Sequence, residues 1–276
     1  MRVSPGGGIC GRRCDRLTAP PFTWHLLVDP SGSPGAVNMA TDQTLLEDAD
    51  RSGTAVLRLY RWDPPCLSFG RNEWARHYDR ALLERLGIDV VRRPTGGRGV
   101  WHEQEVTYAL AAPIAVFGSL RAAYRAIHDR LAAALRALGA DATLAPDRLT
   151  ARPPDRPGSC FASSVGGEVL VAGRKLVGSA QVRRGRAFLQ HGSILLDGSQ
   201  ATIGAVSRQR EAVSYQTSDV RRATTLSTAL GRRVTFEEVA QAIIGAWGPT
   251  LAATAPVRPC PPLTAFFLDP AWTWRR

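Results

Sequence analysis

Three strand-length runs lie back to back in the middle of the chain: "EVLVAG" (168–173), "RKLVGSAQV" (174–182) and "AFLQHGSILL" (187–196). The first joint falls at Ala172-Gly173 and the second at Arg184-Gly185, and glycine supplies the positive φ that short hairpin turns demand. A β-meander needs an apolar face packed against something, so the rest of the chain has to provide a cover.

Helical periodicity provides it. In "SLRAAYRAIHDRLAAALRALG" (119–139), Leu120, Tyr124, Ile127, Leu131, Leu135 and Leu138 recur at three- and four-residue steps, with Ser119 as cap and Gly139 as stop. His128 sits beside Ile127 at a position open to exposure and is assigned no role. "NMATDQTLLEDA" (38–49) predicts a helix with Asn38 as N-cap and Met39, Leu45, Leu46 and Ala49 on one side. "DRALLERLG" (79–87) is a short helix capped by Asp79, and "TFEEVAQAIIGAW" (235–247) carries a capping box of Thr235 and Glu238. Between them, "AVLRLYRW" (55–62), "CLSFG" and "IDVVRR" (88–93) read as strands. Interleaved strands and helices with a meander define an α+β (mixed α/β) architecture, one central mixed β-sheet flanked by helices. Residues 145–159 read as a Pro/Arg-rich surface loop. The Pro-rich residues 252–276 are expected to wrap the surface, with Trp272 and Trp274 either packed or exposed.

Composition narrows the function. Of 276 residues, 44% are hydrophobic and 21% charged, as in ordinary globular domains, and no apolar run approaches the ~20 residues of a membrane span. The basic N-terminus lacks the apolar stretch of a secretory signal and reads as a disordered leader or as residues ahead of the true start. Five scattered cysteines argue for a reducing, cytoplasmic setting rather than a disulfide framework. Cys10 and Cys14 have no second pair to complete a metal site, so no metal is expected. A net charge of +11 points to acidic partners. The arginines are dispersed in doublets without any nucleic-acid-binding signature, which counts against a nucleic-acid module.

One feature of that charge is singular: a single lysine, Lys175, stands among 34 arginines. The run 174–182 reads as one strand, so Lys175 would share a face with Val177 and Ser179. A solvated cation in this chain is written as arginine, whereas a compact ammonium fits a small oxygen or thiolate site that a planar guanidinium would overfill. Two further stretches carry candidate chemistry. In "RRPTGGRGVWH" (92–102) a strand delivers arginines to a glycine turn whose backbone N–H groups could cradle an anion or a carbonyl, or which is simply a turn. His102 after it is either an acid, base or donor, or a structural histidine. In "GSCFASS" (158–164), Cys160 is either a small buried hydrophobe or a nucleophile, and the latter needs a cation or a helix N-terminus to lower its pKa.

Taken together, these stretches resemble the biotin/lipoate protein ligase catalytic-domain superfamily, closest to its single-domain octanoyltransferase branch. The resemblance rests on "RRPTGGRGVWH", "GRKLVGSAQ", "LQHGSILL", "NMATDQTLL", "LRLYRWDPPCLSFGR" and a Cys160-Phe161 pair fifteen residues before Lys175, and it covers about residues 22–247. It implies a leader (1–21), a catalytic domain (22–250) and a C-terminal extension (251–276). It implies that Cys160 forms an acyl-thioenzyme with Lys175 beside it. The acyl chain would be lined by Arg93, Thr95, Gly96, Gly97, Arg98, Gly99, Val100 and His102, and by Gly178, Ser179, Ala180, Gln181, His191 and Gly192. The donor would be octanoyl-acyl carrier protein. The acceptor would be a lipoyl-accepting protein such as the glycine-cleavage H protein or a dehydrogenase E2 lipoyl domain, and no cofactor would be needed. The alternative within the superfamily is a lipoyl amidotransferase or an ATP-dependent lipoate–protein ligase, which would add ATP and Mg. ATP-using ligases usually have a third glycine where this chain has Arg98, which favours the thioester route.

Overall fold

The computed structural model describes residues 24–146, 161, 166–208, 222–248, 251–254 and 257–275. Its centre is a six-stranded sheet in the order β10-β11-β6-β2-β1-β12. The strands are β1 (Trp24–Ser33), β2 (Ala55–Trp62), β6 (Glu105–Pro113), β10 (Val177–Arg184), β11 (Ala187–Leu195) and β12 (Leu251–Ala253). β1 runs parallel to β2 and β12, while β2, β6, β11 and β10 alternate in antiparallel pairs, so the sheet is mixed as expected. β12 carries the sheet into the segment expected to be an extension.

Helices cover both faces, which is why β6 and β11 are buried at every residue, their polar side chains included. α3 (Leu120–Ala137) and, later in the chain, Phe236–Trp247 lie on one face, where Leu57, Leu110 and Phe188 join Ile127, Leu131 and Ile243 in one core. α1 (Gly35–Ser52) lies on the other, packing Met39, Leu45 and Leu46 against Val56, Ala109 and Leu189. The predicted caps form: Ser119 Oγ accepts from Ala122 N at 3.1 Å, and Thr235 and Glu238 close a reciprocal capping box. Two three-stranded sheets flank the main one. The first is β4-β3-β5, with β3 (Cys66–Phe69), β4 (Asp89–Arg92) and β5 (Val100–His102). The second is β7-β8-β9, with β7 (Ala142–Leu144), β8 (Val169–Val171) and β9 (Arg174–Lys175). α2 (Arg80–Arg85), capped by Asp79, leads into β4. Among the described residues no helix is long and apolar enough to cross a membrane.

Three expectations are corrected. α1 begins at Gly35, not after Asn38. Asn38 is fully buried inside the helix, and its amide donates to Ser33 O and Arg61 O at 2.9 and 3.0 Å. The run 174–182 is not one strand: Leu176 and Val177 both enter the same core, which breaks the alternation, so β9 belongs to a small sheet and β10 to the main one. Lys175 therefore does not stand on an open sheet face with Val177 and Ser179; it is 1% exposed. The C-terminal residues do wrap the body. Two short helices, Pro261–Leu268 and Pro270–Thr273, bring Phe267 into the core beneath α1 and leave Trp272 and Trp274 half-buried.

Candidate active site

The hairpin turn at Gly185 sets the register that assembles the site. Pairing Arg184 with Ala187 places Ser179 opposite Gly192 and Ala180 opposite His191, so "GSAQ" and "LQHG" meet face to face. Both glycines are required by close approach. A Cβ on Gly192 would lie 2.4 Å from Gly178 O, and one on Gly178 would lie 2.9 Å from the Phe161 ring. Beneath this edge opens a narrow cavity. α1 contributes Met39, β2 contributes Tyr60 and Trp62, and the β4–β5 region contributes Arg93, Val100 and His102. Gly178, Ser179, Ala180, His191, Gly192, Ser193 and Thr107 complete the wall.

Many of these residues are polar, yet their polar atoms engage one another. His191 Nδ1–H donates to Asp42 Oδ2 at 2.9 Å, and Thr95 Oγ1 donates to His191 Nε2 at 2.7 Å. Asp42 also accepts from Arg58 and Tyr60 at 2.9 and 3.0 Å. Burial pushes the Asp42 carboxyl up, but the His191 hydrogen bond and the Arg58 charge outweigh it and hold the group below the usual range. His102 Nδ1–H donates to Glu105 at 2.8 Å, while Ser68 Oγ, held by Arg93 at 2.6 Å, donates to His102 Nε2 at 2.6 Å. Burial lowers the His102 pKa, with Glu105 only partly offsetting it, so the ring is neutral and stacks on Trp62 at 3.9 Å. With their hydrogen bonds turned outward, these rings show the cavity mainly carbon, a wall suited to an alkyl chain.

His128 is the largest correction. It is fully buried, and burial with the nearby Lys175 charge lowers its pKa to about 4, although its bond to Gly167 O opposes the shift. The neutral ring donates Nδ1–H to Gly167 O at 2.7 Å and accepts from Ser179 Oγ at 2.8 Å. Ser179 then accepts from Tyr108 OH at 2.7 Å, and Tyr108 from Gln190 Nε2 at 2.8 Å, so the chain of donors runs in one direction. The next residue, Glu168, accepts from Lys175 Nζ at 2.6 Å, with both side chains 1% exposed. The ammonium lies 5.5 Å from the centre of the Phe161 ring.

Of the expected site residues, Arg93, Val100, His102, Gly178, Ser179, Ala180, His191 and Gly192 share the cavity wall. Thr95 stands behind His191. Gln181 is turned away, donating to Leu120 O and Gln190. Gly96, Gly97, Arg98 and Gly99 do not line the cavity. Arg93 braces this turn by donating to Gly96 O and Arg98 O, and Gly97 packs backbone-to-backbone on Gly70. The anion cradle is partly filled from within: Glu73 accepts from Gly70 N, Gly99 N and Tyr78 OH at 3.0, 2.9 and 2.8 Å. Lys175 is off the cavity wall and joins it through Phe161 and Gly178. Cys160, Cys10 and Cys14 lie outside the described residues. Sequence reasoning missed Asp42, Arg58, Glu105 and Glu168. Glu168 had a readable signal: a two-residue turn at Ala172-Gly173 pairs Leu170 with Lys175, which sets Glu168 diagonally across from the lysine.

Residues 34–248 match the family model described as the lipoyl protein ligase A/B catalytic domain, and the chain belongs to that family. Within it, the chain is 38% identical over 273 residues to an octanoyltransferase LipM from Kyrpidia tusciae, covering 92% of this chain and 99% of the relative. It is 33% identical to an octanoyltransferase LipM from Bacillus subtilis, covering 80% and 83%. Among solved structures, a putative lipoate protein ligase from Thermoplasma acidophilum with bound lipoic acid superposes with a TM-score of 0.70 at 18% identity, covering 92% of this chain and 98% of that one. Lipoate-protein ligase A bound with ATP superposes with a TM-score of 0.72 at 18% identity, covering 91% and 98%. These last two show the shared fold.

Proposed function

We propose that this chain is an octanoyl-[acyl carrier protein]:protein N-octanoyltransferase of lipoate biosynthesis and protein lipoylation. The observation that carries the reading is a carbon-walled cavity joined, through Gly178 and Phe161, to a buried ammonium. Phe161 follows Cys160 directly in the sequence.

In the first half-reaction the Cys160 thiolate attacks the carbonyl of the octanoyl thioester. A carbon–sulfur bond to Cys160 forms, the bond to the carrier breaks, and the carrier leaves as a thiol, taking the proton that Cys160 gave up. In the second, a lysine amine of the lipoyl-accepting protein attacks. An amide forms, the Cys160–acyl bond breaks, and the amine's proton goes to the departing sulfur. The Lys175 ammonium, held by Glu168, favours the thiolate and the charge developing on the acyl oxygen. The acceptor is a glycine-cleavage H protein or an E2 lipoyl domain, and a net charge of +11 speeds encounter with acidic carriers. No nucleotide or metal is needed, because the acyl group arrives activated; the Gly99 N–H already committed to Glu73 supports this.

Incubation with octanoyl carrier protein followed by intact mass measurement tests the reading. A hydroxylamine-labile octanoyl adduct on Cys160, lost in Cys160→Ala together with transfer, is expected. Full transfer by Cys160→Ala would end the covalent mechanism, and a requirement for ATP and free lipoate would replace the transferase with a ligase.

A further inference from the structure

The two arginines that precede the glycine turn point to different tasks. Arg93 faces inward to Ser68 and the turn, whereas its neighbour Arg92, at the end of β4, faces the opposite way and is completely buried. Its guanidinium joins two segments far apart in sequence. On one side Nη1 donates to Gly70 O, Arg71 O and Glu73 O at 2.7, 3.3 and 2.8 Å. On the other, Nε donates to Trp272 O and Thr273 O at 3.1 and 3.0 Å, and Nη2 to Arg275 O at 3.0 Å. The C-terminal segment answers: Trp272 Nε1 donates to Arg92 O at 2.9 Å, and Arg275 donates to Arg71 O at 2.7 Å while lying 3.8 Å over the Trp272 ring. Each of these acceptors is a main-chain carbonyl, so what the contacts fix is backbone position.

The backbone fixed this way supports the cavity. Arg71 N donates to Thr95 O at 2.8 Å, and Thr95 holds His191. Glu73 holds Gly99 N, one residue before the cavity residue Val100. An unbroken set of contacts therefore runs from Arg275 through Arg92 and the 70–73 turn to two walls of the cavity. We propose that residues 270–275 form a strap that positions the glycine turn through Arg92, and that Arg92 is a positioning residue for acyl transfer. Lysine cannot replace it, because a single ammonium with three donors does not span both segments.

The test compares the full chain with Arg92→Lys, Arg275→Ala and a form ending at Asp269. Hydrogen exchange at the Arg71 and Gly99 amides is followed beside that at Tyr108 in β6, together with kcat and KM for octanoyl transfer. Expected are faster exchange at Arg71 and Gly99 with Tyr108 unchanged, and a loss of kcat of about tenfold to a hundredfold. Arg275→Ala should show a smaller change in the same direction, and a synthetic peptide of residues 270–275 should restore part of the rate to the shortened form. Unchanged exchange and rate in the shortened form would overturn the proposal. So would equal acceleration of all three amides in Arg275→Ala, which would mean general loosening rather than positioning. The activity arm rests on the octanoyl-transfer reading and the exchange arm does not, so a wild-type chain that transfers nothing would sink that reading while leaving the strap to be decided by exchange.

Discussion

Two buried cations show how differently this chain uses charge. Arg58 is 2% exposed and spreads over a fork of partners: Asp42 at 2.9 Å, Asn38 Oδ1 at 2.7 Å and Asn38 O at 3.2 Å, with Tyr60 beneath it at 3.8 Å. Lys175 is 1% exposed, bonds Glu168 at 2.6 Å and rests against an aromatic ring. The guanidinium is scaffold: it locks α1 to β2 and, through Asp42, fixes the tautomer of His191. The ammonium is a compact charge bonded to Glu168, next to the residue that follows the candidate nucleophile in sequence. A fork suits positioning and a point charge suits chemistry, which accounts for the one place where arginine was not used.

Breaking the scaffold pair should have the largest effect. Asp42→Asn removes the buried carboxylate bonded directly to Arg58, leaving only the half-buried Asp29 at 4.0 Å as counter-charge, and should cost about 3–5 kcal/mol in denaturant unfolding. A loss below about 1 kcal/mol would mean that Asn38, Asp29 and water carry Arg58 without Asp42. Lys175→Arg keeps charge but loses fit. It should slow acyl loading by about a hundredfold or more, read by rapid quench and mass measurement. Near-normal loading would erase the distinction between the two cations.

Acid should separate the two regions next. The folded His128 pKa is about 4, below its ordinary 6.5, so between these values the unfolded chain binds the extra proton and stability falls as pH is lowered. Asp42 has its pKa lowered, so its contribution is intact above the ordinary 3.8 and is lost only as pH drops through the folded value. Unfolding curves should therefore weaken first below pH 6.5, where buried His102, its pKa also lowered by burial, adds to His128, and His128→Gln should reduce the slope there while leaving the more acid part. An unchanged slope would remove His128 as the cause. The smallest effect belongs to a site remote from both cations: Thr235→Ala removes the cap of the Phe236–Trp247 helix and should cost about 1 kcal/mol with full transfer activity.

What could be read from the sequence follows the range of the forces involved. The caps at Ser119, Asp79 and Thr235 and the core stripe of α3 are set within one or two turns, and they stand where periodicity puts them. The Gly185 turn likewise fixes the pairing of "GSAQ" with "LQHG". The break at Leu176 was illegible because alternation does not reveal which sheet a strand joins. Asn38 looked like a cap because a buried amide and a capping amide share one letter. Asp42 and His191 are 149 positions apart, as are many residues that never meet, so only the fold could pair them. The glycine turn was legible as a turn, but the carboxylate that fills part of it comes from Glu73, on a different loop.

The burial of Lys175 has a consequence for an enzyme that hands acyl groups to lysine amines. With a single lysine in the chain, and that one enclosed and salt-bridged, the protein presents no lysine amine of its own to compete with its acceptor. Self-acylation at lysine, a hazard for any catalyst that stores a reactive thioester, has been written out of the sequence.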